Sequence, residues 1–229
     1  MTDNKLPRRR IVAGLGLGAA ALTAAGAKAG ADGQPDMPVP RWRPTLERAD
    51  SWLDRPSRHR MAFDATSPNG AGEALTFADN FFIANKSDYK IEAADLSLVI
   101  VLRHMATPFA YKDAVWAKYG AALSEIMTFT DPETKKSPAV NLYTVKSRDK
   151  LSNRGATLDA LIAQGAQFAV CGMATEGLAG AIAKKLALKK EDVHAEILAN
   201  LIGNAHLAAA GIVAVGRAQE HGYALAYVG

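Results

Sequence analysis

Cysteine occurs once in the 229 residues, as Cys171, and no other side chain offers as much chemistry. A lone thiol excludes an intramolecular disulfide and any metal site built from several cysteines. It serves either as a small buried apolar group or as a nucleophile, and then the thiolate is the reactive form. Gly172 follows it and can open the sulfur to solvent and substrate, while a helix expected from about Thr175 brings free N–H groups that favour the thiolate. His104 and Arg103 are the second pair of candidates. A histidine in reach of Cys171 can take the thiol proton or stabilise the thiolate, so Cys171 and His104 are the candidate catalytic residues. Arg103 can hold an anion, which makes Arg103 and Gly172 the candidate substrate-binding residues. Each also suits a solvated, hydrogen-bonded position. His59, His194, His206 and His221 form no H-x-x-x-H or H-E-x-x-H spacing, so no metal site is expected.

These residues need elements to hold them. Leu96–Leu102 (LSLVIVL) is a near-continuous apolar run of strand length, as expected of a strand covered on both faces, and Arg103 and His104 close it. Gln167–Cys171 (QFAVC) predicts a strand ending on the thiol. In a parallel sheet both ends share the carboxyl rim, where open α/β sheets bind ligands. Helices are predicted over Gly72–Asn85, Asp113–Met127, a short one capped by Thr157 and closed by Gly165, Thr175–Leu186, Glu191–Leu201 and Gly211–His221. Val140–Val145 (VNLYTV) reads as a further strand and Tyr223–Val228 as a closing one. Such alternation predicts an α/β fold of three layers, a mainly parallel sheet with helices on both faces. Tyr111, Trp116 and Tyr119 read as core or as the lining of a pocket above His104.

The N-terminus is of another kind. Lys5 and Arg8 to Arg10 precede a weakly apolar, glycine-rich run from Ile11 to Ala25, and Ala27, Ala29 and Ala31 supply an A-x-A cleavage pattern. Residues 1–31 therefore read as a twin-arginine signal peptide, which predicts passage through the twin-arginine translocase and a periplasmic mature protein. The apolar run is short of the ~20 residues a spanning helix needs, so no stable membrane span is expected. Gly14 to Ala19 imitates a dinucleotide-binding fingerprint, but no strand precedes it. Lys5, Arg8, Arg9, Arg10 and Lys28 against Asp3 alone place a net +4 in this segment, the same as the +4 of the whole chain. The remainder is close to neutral, which argues against nucleic acid as a partner. Residues 32–61 carry Pro35, Pro38, Pro40, Pro44 and Pro56 and read as an arm or linker, with at most a short turn around Leu46 to Leu53. Trp42 and Trp52 in the arm are expected to dock on its own domain or on a neighbouring subunit, or else to be incidental in a free tail.

Three stretches within 62–229 resemble the DsrE/DsrF-like family, which includes sulfur-relay subunits: Val99 to His104, Gly165 to Gly172, and Ala210 to Tyr223 with its glycine, Gln219 and Gly222-Tyr223. The resemblance implies a three-layer α/β domain over 62–229 that assembles as a trimer or hexamer. It also implies that Cys171 carries sulfur as a persulfide. Export and the long segments at 32–61 and 129–153 depart from the relay members. The function expected is therefore sulfur binding or transfer through Cys171. The alternative is a non-enzymatic periplasmic oligomer that binds a ligand or cofactor near His104, with Cys171 structural. No motif names a cofactor; neither a P-loop nor a Ser-His-Asp order is present.

Overall fold

The apolar run Leu96–Leu102 forms strand β2, and all seven of its residues are buried. Burial on both faces follows from its place in the middle of a parallel sheet. The computed structural model describes residues 43–145 and 150–229, so the signal segment, Trp42 and the first part of the arm lie outside the described residues. Pro44–Gly229 form one compact unit. The sheet has five strands in the order β4-β3-β2-β1-β5. These are β1 His59–Ala65, β2, β3 Gln167–Cys171, β4 Ala205–Ala208 and β5 Ala224–Val228. Every neighbouring pair is parallel, so all five carboxyl ends share one rim.

Because successive side chains of a strand point to opposite faces, the sheet separates two cores. Leu96, Leu98, Ile100 and Leu102 join Phe63, Phe168 and Val170 in the larger one, under helices α1 Pro68–Tyr89, α2 Asp113–Met127, α4 Gly172–Leu186 and α5 Lys190–Ala199. Short helix α3 Leu158–Ala163 adds Leu158 and Leu161 to it. Val99 and Val101 join Ala62 and Ala169 in the smaller core, under α6 Gly211–Glu220. The chain is an α/β protein with helices on both faces of its sheet.

Local signals account for most of the helix limits. Ser67 caps α1, accepting a hydrogen bond from the Gly70 N–H, and Pro68 opens the helix, so α1 begins before the Gly72 expected. Thr157 caps α3 through the Ala160 N–H at 3.2 Å, and Gly165 at φ +94° follows it. Gly222 at φ +82° follows α6 and lets the chain turn into β5. Helix α5 stops at Ala199, because Leu201 bridges to Tyr111.

One expectation needs correction, and two strands lie where none was expected. Val140–Val145 is not a strand; Leu142–Thr144 is a 3₁₀ turn capped by Asn141. Strand β1 begins inside the 32–61 arm, so a boundary at residue 62 cuts through a strand. Strand β4 has only four residues, none fully buried, and its sequence AHLA carries no periodic signal.

One helix is too narrow to cover a face of five strands, and the arm fills the gap. The 3₁₀ turn Arg48–Leu53 places Leu53 in the smaller core with no exposure. Trp52 stacks on His206 of edge strand β4 with centroids 4.2 Å apart and planes 6° from parallel. Tyr223 donates to the Leu53 carbonyl at 3.1 Å, Arg55 donates to the Gly165 carbonyl, and Asp54 pairs with His221 at 2.8 Å. Trp52 therefore docks on its own domain.

Candidate functional site

Cys171 is the last residue of β3 and the N-cap of α4, which starts three residues earlier than expected. Its Sγ accepts a hydrogen bond from the Ala174 N–H at 3.4 Å. Oxygen side chains usually hold this position, because the first turn of a helix leaves N–H groups without partners. Sulfur there is a weak acceptor as a thiol and a strong one as a thiolate. The residue is 7% exposed, a buried thiol on the edge of solvent.

Gly172 explains how α4 can begin so close to β4. A Cβ there would stand 2.8 Å from the Ala208 carbonyl oxygen, and Met173 N–H donates to the Ala209 carbonyl at 3.2 Å. Its role in this structure is close approach of backbone.

Strand register brings Arg103 to Cys171. Leu102 of β2 pairs with Val170 of β3, so the next residues, Arg103 and Cys171, lie side by side on the α6 face of the sheet. On β1, Asp64 alternates with Phe63 and Ala65 and falls on the same face, beside Tyr227 of β5. Asp64 accepts two hydrogen bonds from Arg103, from Nε at 2.7 Å and Nη2 at 2.9 Å. Asp64 is almost wholly buried, whereas the Arg103 side chain keeps 26% of its surface. The Asp64 hydrogen bonds, opposed by burial and aided by the charges of Asp64, Tyr227 and Cys171, hold the Arg103 pKa above its ordinary value. Gly211 opens α6 directly over Arg103; a Cβ there would lie 2.3 Å from Arg103 Cβ. At the outer end of the row, the Tyr227 and Thr66 hydroxyls are 3.0 Å apart.

His104 goes elsewhere. It adopts φ +53°, the left-handed region that side chains rarely occupy, and it is exposed. It lines an apolar cavity of about 220 Å³ with Met105, Ile126, Ala174, Gly177 and Leu178, on the α2 and α4 side. Among the described residues no hydrogen bond or ion pair joins His104 to Cys171. The structure thus sets Arg103 next to Cys171 in register and places His104 at the cavity beside α2 and α4.

Tyr111, Trp116 and Tyr119 are core. Tyr111 donates to Thr175 Oγ1 at 3.1 Å, and burial pushes its phenol far above the usual range. His206 hydrogen-bonds Gln167 at 2.8 Å, and burial lowers its pKa. Among the described residues no group of three His, Cys, Asp or Glu side chains is placed to hold a metal, and no helix is long and apolar enough to cross a membrane.

Asp64 is the site residue that sequence reasoning missed. Its signal is a single carboxylate in the otherwise apolar stretch Met61-Ala-Phe-Asp-Ala65, interpretable only once that stretch is known to be a strand. No protein-family model matches the chain, and neither the curated proteins nor the solved structures give a match.

Proposed function

We propose that this chain is an exported, DsrE-like protein that accepts and passes on sulfur through Cys171. One observation carries the reading: the only thiol caps a helix start at the carboxyl rim of a parallel sheet, with a guanidinium on the adjoining strand. The chemistry is an exchange at sulfur. The Cys171 thiolate attacks the outer sulfur of a donor persulfide R–S–SH. A new S–S bond forms on Cys171 as the donor S–S bond breaks, and the donor leaves as the thiolate RS⁻. Where the donor carries a proton it stays on the transferred sulfur, where the donor is the anion R–S–S⁻ the charge stays there instead, and in neither case is there net oxidation. An acceptor thiolate reverses the exchange.

The test is intact mass of the protein after incubation with a persulfide donor. Wild type is expected to gain about 32 Da, lost on reduction, the mass of one sulfur on a thiol. Cys171→Ser should fold and gain nothing. An equal gain in both proteins contradicts the reading.

A second reading is a ligand or cofactor binder, favoured by the apolar cavity beside His104. Protein isolated with a visible absorption band and an unmodified Cys171 supports it over sulfur transfer. Export by the twin-arginine route rests on Arg8 to Arg10 ahead of a weakly apolar run. Changing Arg9 and Arg10 together to Lys is expected to hold the precursor in the cytoplasm; unchanged export contradicts the route. Assembly as a trimer or hexamer follows from the family resemblance of residues 62–229. A monomer in light scattering over a wide concentration range contradicts it.

A further inference from the structure

We infer that the Asp64–Arg103 pair makes the Cys171 rim selective for an anionic sulfur donor, with Arg103 meeting the donor's charge and Asp64 positioning Arg103. The inference rests on the sulfur-transfer reading and names the substrate class of that same site.

The geometry fixes the guanidinium from two sides. Asp64 takes Nε and Nη2 in a fork, the arrangement that best orients an arginine. Gly211 of α6 leaves room for the aliphatic stem, so Arg103 lies between β1 and the start of α6. The fork leaves Nη1 without a hydrogen bond among the described residues, and a quarter of the side chain faces solvent. Three N–H positions of a guanidinium are therefore still open to a ligand, two on Nη1 and one on Nη2. The carboxylate that orients it is buried and cannot itself meet the ligand.

The surroundings have the same sign preference. Cys171 lies beside Arg103 in register, and α6 begins at Gly211 with no side chain capping its first turn. A per- or polysulfide anion entering here brings a second negative charge toward the Cys171 thiolate. That repulsion has to be offset for reaction, and a fixed guanidinium on the adjoining strand offsets it. A neutral disulfide gains nothing from Arg103. In the step itself R–S–S⁻ gives its outer sulfur to Cys171 and leaves as R–S⁻, so charge and electrons balance and Arg103 need not exchange a proton.

The experiment compares native Cys171 alkylation by iodoacetate, an anion, with alkylation by neutral iodoacetamide, each referred to the denatured chain. The ratio cancels the thiolate fraction and reads only the charge the reagent meets. Wild type is expected to favour iodoacetate, and Arg103→Gln to lose roughly tenfold of that preference, the scale of one partly screened charge. Arg103→Lys should keep part of it, and added salt should weaken it. The double variant Asp64→Asn/Arg103→Gln avoids a stranded carboxylate and should show the same loss. Asp64→Asn separates positioning from net charge. Removing a negative charge alone raises the iodoacetate preference, whereas loss of positioning lowers it, and a fall is expected. The same proteins are then timed with a persulfide anion. An Arg103→Gln protein that keeps the wild-type ratio and loading rate overturns the inference and leaves sulfur transfer standing. A wild type that takes up no sulfur while keeping the ratio overturns sulfur transfer, and a rise in Asp64→Asn overturns the positioning role.

Discussion

Arg103→Leu is expected to lower the stability of the protein by about 3 kcal/mol, the cost of leaving a buried carboxylate without its partner. Asp64 is only 4% exposed, and both of its oxygens are held by Arg103. Adding Asp64→Asn to the Arg103→Leu protein should recover most of the loss, because the uncompensated charge is then gone. Denaturant midpoints of wild type, both single variants and the double variant close the cycle. Additive losses contradict the coupling of these residues and leave Arg103 free to move at the rim.

Asn141→Ala is expected to cost about as much, roughly 3 kcal/mol, since it leaves several buried backbone groups without partners. Asn141 is fully buried. Its Nδ2 donates to the carbonyls of Phe109 at 2.8 Å and Tyr111 at 2.9 Å, and its Oδ1 accepts from the Tyr143 N–H at 3.2 Å. It thereby ties the turn Leu142–Thr144 to the segment between β2 and α2. A loss under 1 kcal/mol in urea denaturation, with an unchanged near-ultraviolet spectrum, contradicts that role.

The same asparagine shows why Val140–Val145 misled. The alternation in VNLYTV is strand-like, but a side chain that satisfies backbone groups locally removes the need for a ladder. The two carbonyl partners of Asn141 stand about 30 residues away, with separations of 32 and 30, which no short sequence window contains. Where pattern and environment agree, the reading succeeds: β2, β3 and α2 have the limits their sequences predict. β1 and β4 were illegible for opposite reasons. β1 opens on His59 and Arg60 and closes around a buried charge, while β4 is four residues at an edge whose one large apolar side chain, Leu207, is exposed. The site was half legible. Two strand ends sufficed to place Cys171 and Arg103 on one rim, but which face each side chain takes depends on register. Register put Arg103 with Cys171 and sent His104 to the cavity beside α2 and α4. Asp64 was invisible because its strand was.

Sulfur transfer requires that Cys171 be open to a reagent in the folded protein. Its sulfur accepts from the first turn of α4, and the residue as a whole is buried with 7% exposure. The measurement is iodoacetamide labelling of native protein at neutral pH, followed by intact mass, beside a sample in denaturant and the Cys171→Ser variant. Cys171 is expected to be alkylated in the native protein within minutes, under conditions where the fold is intact by circular dichroism. Labelling that occurs only in denaturant would show a core thiol and contradict sulfur transfer at this rim.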